Sequence, residues 1–411
     1  MEREQKHSLF YLLLEFLFPP YNNFFFKKYP KSLNQHTMSK QKILMRFAAF
    51  SAFLISSSCL FAQEPPSLEG FMDGIHHWNL EHKERKYKRL EAMEYCEIAD
   101  NLLAYQNTDG GWPKNIDWLG ILPADSVKKA LKERYRQSTL DNRNTFPQIE
   151  YLADVYMLTK KRKYRKGAEK GLKYILDTQK ENGGWRGWDV DAITFNDEVT
   201  TGALALFLKI HQGDNSFSWL GKKEKALIAE RLERGIKMVL DCQVVQNGRK
   251  TVWGQQHDNV TLLPVKARTF ELPSLTARES CDVVRLLMNI THPSLEVINA
   301  VNASMQWFLD ARIYGMRIDE VPLSEEKIIN HEYPFDRVVV KDEKAKPIWA
   351  RFYEVSDNTP FLSTREGKKV WRLENVNPER RTGYDWYGYW PETLFKEWEE
   401  WKASIASQED Q

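Results

Sequence analysis

The sequence predicts an all-α fold: an (α/α) toroid or barrel of paired helices whose long loops form a groove at one end. Three observations predict it. A helical run ends in glutamine, turns at glycine and reaches a tryptophan, and this happens three times. The copies are Gln106-Asn-Thr-Asp-Gly-Gly-Trp112, Gln179-Lys-Glu-Asn-Gly-Gly-Trp185, and Gln243 followed by Asn247-Gly248 and Trp253. The glutamines lie 73 and 64 residues apart, a period that fits stacked helix pairs. Further apolar helical runs lie between the copies, and strand-type alternation is scarce. At 411 residues, 42% hydrophobic and 13% aromatic, the chain can bury a large core.

In chain order, residues 1–37 are rich in Phe and Tyr and fit no element; they read as a start-site artefact preceding a true start at Met38. Residues 38–62 have the form of a secretory signal peptide. Lys40, Lys42 and Arg46 are its basic region, Phe47 to Leu60 its apolar region, and Phe61-Ala62-Gln63 its cleavage point. The expected location is secreted or periplasmic. A lipoprotein anchored through Cys59 is the weaker alternative, because Ser56-Ser57-Ser58 is a poor processing box. Residues 63–411 then form a single domain, expected to act as a monomer.

A helical pattern runs from about Leu80 to Gln106. Pro147 to Thr159 places Ile149, Leu152, Ala153, Tyr156 and Met157 on one face. Tyr164 to Gln179 and Lys222 to Gln243 are the second and third repeat helices. Ala203 to Ile210 is apolar nearly all round and should be buried on every side. Thr276-Ala-Arg-Glu279 has the form of a capping box opening a helix through Ile290, and Pro293 suits the first turn of the next, to about Leu309. Cys96, Cys242 and Cys281 are odd in number and far apart, so they read as buried small hydrophobes. From about Arg317 to Pro391 the chain reads as loop, with rings interspersed among Arg337, Arg351, Arg365, Arg372, Arg380 and Arg381. Rings stack on sugar faces and arginine forks grip carboxylates. The rival reading is a wrapping segment that uses Trp and Tyr for packing.

The chemistry concentrates in Trp253–Leu272, which has no helical period and carries Pro264. It holds His257, Asp258, Lys266, Arg268 and Glu271 among large apolar residues. Two carboxylates follow the earlier repeats in the same way: Asp141 in Ser138-Thr-Leu-Asp-Asn-Arg-Asn-Thr145, and Asp197 in Thr194-Phe-Asn-Asp197. Each precedes an apolar helix, so in a toroid all three segments emerge at one end and Asp141, Asp197 and Arg268 can converge. The competing reading makes Asp141 and Asp197 helix N-caps, which Asp favours. Beyond residue 62 the chain carries 51 basic and 54 acidic residues. A near-neutral body without a basic block argues against nucleic-acid binding, and no second apolar run is long enough to span a membrane.

Together, Gly110-Gly-Trp-Pro-Lys114, Asp141-Asn142 with Thr145, Ile193-Thr-Phe-Asn-Asp197, Gln256-His-Asp258, Lys266-Ala-Arg268-Thr-Phe-Glu271 and Trp349-Ala-Arg351-Phe-Tyr resemble polysaccharide lyase family 10, the family-10 pectate lyases. The likeness runs from about Tyr95 to Gly388. Departures from the family pattern are Arg143 and Asn144 after Asp-Asn, and Glu198-Val-Thr200 after Phe-Asn-Asp. The resemblance implies an (α/α) toroid that cleaves polygalacturonate (pectate) by Ca2+-assisted β-elimination. It further implies Asp141 and Asp197 as metal residues and Arg268 as the catalytic base. Lys114, Asp141, Lys266, Arg351 and Arg365 would bind substrate. A hard cation and guanidinium groups neutralise the carboxylate beside the departing proton. Arginine is an awkward base, with a pKa above ~12; burial and neighbouring cations favour its neutral form. Two rivals stay open: a toroidal hydrolase of unsaturated uronides, and a non-catalytic polyuronate-binding protein.

Overall fold

The computed structural model describes residues 64–81, 88–121, 137–324 and 333–409. The start-site segment, the signal peptide and Cys59 lie outside them. Helices dominate. They are α1 (Met72–Glu81), α2 (Tyr95–Tyr105), α3 (Phe146–Thr159), α4 (Arg162–Thr178), α5 (Val199–His211), α6 (Lys222–Cys242), α7 (Ala277–Met288), α8 (Leu295–Asp310) and α9 (Glu392–Glu409). Consecutive helices α3–α4, α5–α6 and α7–α8 pack as hairpins. The first members, α3, α5 and α7, also pack on one another in succession. As its composition demands, α5 is buried on nearly every side, from Val199 through Ile210. By contrast α4 buries one stripe only: Tyr164, Gly167, Ala168, Gly171, Leu172 and Ile175.

The repeat glutamines are the joints of this arrangement. Each side-chain amide bonds a carbonyl of its own turn and a carbonyl of the next helix. Gln106 Nε2 donates to Gly110 O (2.8 Å) and to Gly167 O in α4 (2.8 Å). Gln179 Nε2 donates to Gly183 O (2.9 Å) and Arg231 O in α6 (2.9 Å). Gln243 Nε2 donates to Thr251 O (2.9 Å) and Ala300 O in α8 (2.9 Å). The tryptophans repeat as strictly. The indoles of Trp112, Trp185 and Trp253 donate to Leu102 O, Ile175 O and Val239 O at 2.8, 2.9 and 2.7 Å, each a carbonyl in the last turn before the glutamine. Gly110 and Gly183 have φ near +99° and +98°, and a Cβ there would lie 2.2 and 2.5 Å from Lys170 O and Arg234 O. Only glycine supplies both the left-handed turn and the close approach. In the third copy the turn is a two-residue hairpin: Asn247 (φ 51°) and Gly248 (φ 76°) join strands Val245–Gln246 and Arg249–Lys250.

The structure corrects several expectations. The single helix over Leu80–Gln106 is two helices, α1 and α2, and residues 91–94 between them form a turn. Pro293 precedes α8 rather than opening it; Ser294 is the cap and its side chain accepts from Val297 N–H. The all-α description is too narrow. A four-stranded antiparallel sheet runs Lys369–Val370, Pro360–Ser363, Phe352–Tyr353, Leu275–Thr276. Met316–Pro322 and Phe335–Lys341 pair as a long hairpin where loop was expected. These strands were hard to read because most are two residues long, too short to alternate. Many C-terminal rings pack inside, as the rival reading held: Trp349, Tyr353, Tyr384 and Trp386 are all buried. Phe270, Phe352, Phe361, Tyr384 and Trp386 form a second apolar cluster beside the helical core. Cys242 and Cys281 are buried free thiols, and Cys96 is partly buried.

Candidate active site

The loops that lead into α3, α5 and α7 are stitched to one another. Ile193–Thr194 pairs with Gln256–His257. Phe195 and Asn196 N–H both donate to Gln255 O, at 2.8 and 3.2 Å. The Arg143 N–H donates to Asp197 O at 3.2 Å, tying the two acidic turns directly. Both turns adopt left-handed backbone at non-glycine residues: Asn142 (φ 55°), Arg143 (49°) and Thr145 (74°) in one, Asp197 (53°) and Glu198 (56°) in the other. Each such residue costs roughly 1–2 kcal/mol, and such strain gathers at functional sites. Local bonds hold the first turn: Asn144 Nδ2 donates to Trp112 O (2.8 Å) and Thr139 O (2.9 Å), and Asn142 Nδ2 to Asn115 Oδ1 (2.7 Å). Arg143 and Glu198, the first residue of each departure from the family pattern, pair with each other at 3.2 Å.

Neither aspartate caps a helix. The residues preceding α3 and α5 are Thr145 and Glu198, and neither side chain makes a capping bond. The Asp141 carboxylate is paired with Lys114, whose Nζ lies 4.5 Å from the Trp188 ring centroid. Asp197 Oδ2 accepts from Asn196 Nδ2 at 2.7 Å. Burial first, and the charge of Asp141 second, push the Asp197 carboxyl up to about 7, against the pull of Arg278, Arg268 and Arg351. The turns that carry Asp141 and Asp197 are therefore adjacent, and Arg268 lies within electrostatic range of Asp197.

Arg268 is held by Glu271 at both ends of the residue: its N–H donates to Oε2 (3.1 Å) and its Nη2 to Oε1 (2.5 Å). Its guanidinium stands 5.0 Å from the Phe270 centroid and 5.9 Å from that of Tyr384. Burial favours the neutral form, but the hydrogen bond and charge of Glu271 outweigh it and raise the pKa above the ordinary arginine value. Arg365 approaches the same Phe270 ring at 5.8 Å and pairs with Glu379 at 3.2 Å, half its side chain exposed. Lys266 is exposed to solvent. His257 is wholly buried: its Nε2 accepts from Gly254 N–H (2.9 Å) while Nδ1 meets Leu262 O (2.7 Å). Burial depresses its pKa to about 4, so it is a neutral brace for the loop rather than an acid or base.

Arg351 differs most from the expectation of a substrate-facing fork. It is 2% exposed, paired with Glu279, bonded to Asn196 Oδ1 at 3.1 Å and stacked 4.1 Å from the Tyr384 centroid. Gln255 Nε2 completes the network with bonds to Asn196 Oδ1 (3.1 Å), Glu279 Oε1 (2.9 Å) and Tyr384 Oη (3.0 Å). Burial alone would raise the Glu279 pKa, but Arg351 and Arg278 hold it below the usual carboxylate range. Glu279 is therefore not the far half of a capping box; Thr276 makes no capping bond, and its hydroxyl turns to Trp253 O at 3.3 Å. Sequence reasoning missed Asn196, Gln255, Arg278, Glu279, Tyr384 and Trp188. The signal for Glu279 was present but fitted a local motif equally well.

Among the described residues no group of three or more His, Cys, Asp or Glu side chains gathers as a metal cage. What the site offers is the charge of Asp141 acting on the buried Asp197, two carboxylates that are hard-oxygen donors of the kind a divalent cation takes. Among the described residues no helix is long and apolar enough to cross a membrane.

The pectic acid lyase family model matches residues 106–395. Among solved structures, the chain is similar to a family 10 polysaccharide lyase from Cellvibrio cellulosa, at 26% identity and a TM-score of 0.62, over 82% of this chain and 98% of that one. It is also similar to a variant of the family 10 polysaccharide lyase from that organism in complex with trigalacturonic acid, at 25% identity and a TM-score of 0.63, over 82% and 99% of the two chains. Among the curated proteins nothing matches.

Proposed function

Because the chain belongs to the pectic acid lyase family and is a polysaccharide lyase, we propose that it cleaves α-1,4-polygalacturonate by calcium-dependent β-elimination, releasing unsaturated oligogalacturonides. What supports this reading is that the turns carrying Asp141 and Asp197 are bonded to each other and that Asp141 and Arg268 both act electrostatically on Asp197. The uronate bound by the relative from Cellvibrio cellulosa supports the substrate class.

In this reading Asp141 and Asp197 hold Ca2+, which when bound neutralises the uronate carboxylate and so acidifies the proton α to it. Lys114 and Arg365 orient further carboxylates. Arg268 accepts the α proton as the neutral guanidine; Glu271 fixes it by Nη2 but favours its charged form, so cover by the bound sugar and nearby positive charge must lower its pKa on binding. The electron pair left on the α carbon forms the double bond to the β carbon, the C–O pair leaves with the glycosidic oxygen, and that oxygen takes a proton from water. Arg351 acts from beneath, through Asn196, by holding the Asp197 turn. Ultraviolet absorbance from an unsaturated uronide, followed with and without chelator, tests the reading. A lyase creates that absorbance and loses it with chelator, a hydrolase of unsaturated uronides consumes it, and a binding protein does neither.

We also read the two rows of helices as an (α/α) toroid, and residues 38–62 as a signal peptide for secretion or periplasmic export. N-terminal sequencing of the exported protein tests the second point; a mature chain beginning near Met1 contradicts it.

A further inference from the structure

The segment after Trp185 places two consecutive residues against two cations of the site. Trp188 presents its ring to Lys114 at 4.5 Å, and Asp189 Oδ2 lies 3.9 Å from Arg268 Nε. The stretch is pinned at both ends. Arg186 pairs with Ile193 in an isolated antiparallel bridge; further on, Lys180 pairs with Asp191 at 2.6 Å and Asn259 Nδ2 donates to Asp191 O at 2.7 Å. Between these anchors Trp188 and Asp189 are exposed.

The two acidic partners of Arg268 are unlike. Glu271 is 2% exposed at the side chain and bonds Nη2. Asp189 is 46% exposed and too far for a hydrogen bond, and Arg268 Nε has no hydrogen-bond partner. Nε is also buried, so this edge opens to a second carboxylate only when Asp189 moves away from it. We propose that Asp189 is an internal carboxylate that competes with the substrate uronate for the Nε edge of Arg268 and so sets substrate affinity. The inference rests on the uronate reading of the site given above. A galacturonate carries the same charged group, and one guanidinium edge does not serve both. Substrate entry therefore separates Asp189 from Arg268, and the remaining negative charge of Asp189 repels the incoming one.

An exposed ion pair contributes little, so removing it changes affinity by about two- to fivefold. The test is Asp189→Asn in the full chain, with trigalacturonate binding by calorimetry and steady-state kinetics on polygalacturonate. We expect Kd and KM to fall by about two- to fivefold, on the same scale, with a much smaller change in kcat. Asp189→Glu should return Kd to the wild-type value. An unchanged or weaker Kd in Asp189→Asn, or a collapse of kcat at constant KM, overturns the proposal; the second outcome makes Asp189 a support for Arg268. A wild-type protein that binds trigalacturonate without eliminating defeats the lyase reading, yet the Kd comparison still decides the role of Asp189.

Discussion

The backbone N–H of Arg143 donates to the carbonyl oxygen of Asp197 across 54 positions of sequence, locking two left-handed turns back to back. The bond uses main chain only, so it survives substitution of the Asp197 side chain. Asp197→Ala should therefore abolish activity or raise the calcium requirement steeply, while thermal unfolding shifts by only a few degrees, on the order of 1 kcal/mol. Circular dichroism melts beside chelator and calcium titrations check this. A protein that melts much earlier with unchanged specific activity would give Asp197 a purely structural role.

A second prediction concerns the buried pair of Arg351 and Glu279. Glu279→Ala leaves a guanidinium almost wholly enclosed without its counter-charge. Breaking such a pair costs about 3–5 kcal/mol. Denaturant unfolding at neutral pH should show a loss of that size. A loss under about 1 kcal/mol, typical of surface pairs, means that Arg351 reaches solvent.

His257 yields a pH prediction. Its folded pKa lies near 4, below the ordinary 6.5, because burial disfavours the charged ring by more than its backbone contacts with Leu262 and Gly254 favour it. The unfolded chain takes up this proton near pH 6.5 and the folded chain only near 4. The stabilising contribution is complete above pH 6.5 and is lost as pH falls from 6.5 towards 4, by about 3 kcal/mol in all. Nitrogen NMR of the histidines should show one ring, protonated at Nδ1, that stays neutral at pH 5. A set of histidines all titrating near 6.5 contradicts the placement.

Much of the helical architecture was legible because the repeat is chemical as well as periodic. Gln106, Gln179 and Gln243 make the same bonds, and Trp112, Trp185 and Trp253 report to the same turn of their helices. The site was legible where one short loop carries several polar residues, as with Arg268 and Glu271. It was not legible where partners are remote: Arg351 meets Asn196 from 155 residues away and Tyr384 meets Gln255 from 129. Glu279 shows how a local rule misleads. Its spacing from Thr276 satisfies the capping motif, but Arg351, 72 residues on, takes its carboxylate into the core. Of the departures from the family pattern, Arg143 and Glu198 form an ion pair between neighbouring turns, a pairing that spans 55 positions and no local motif shows.

The central claim is that Arg268 removes the proton. Lysine keeps a positive charge but replaces a planar fork by a shorter, point-like ammonium. The bond from Nη2 to Glu271 that orients the guanidinium would go with it. Misplacing a reacting group by about 1 Å costs on the order of a hundredfold. The measurement is kcat for Arg268→Lys on polygalacturonate, set beside the trigalacturonate Kd of the same protein. Arg268→Lys is expected to keep Kd within about fivefold of wild type and to lower kcat by at least about a hundredfold. Near-normal turnover would show that Arg268 only balances substrate charge, and would move the base elsewhere, with Lys266 the next candidate.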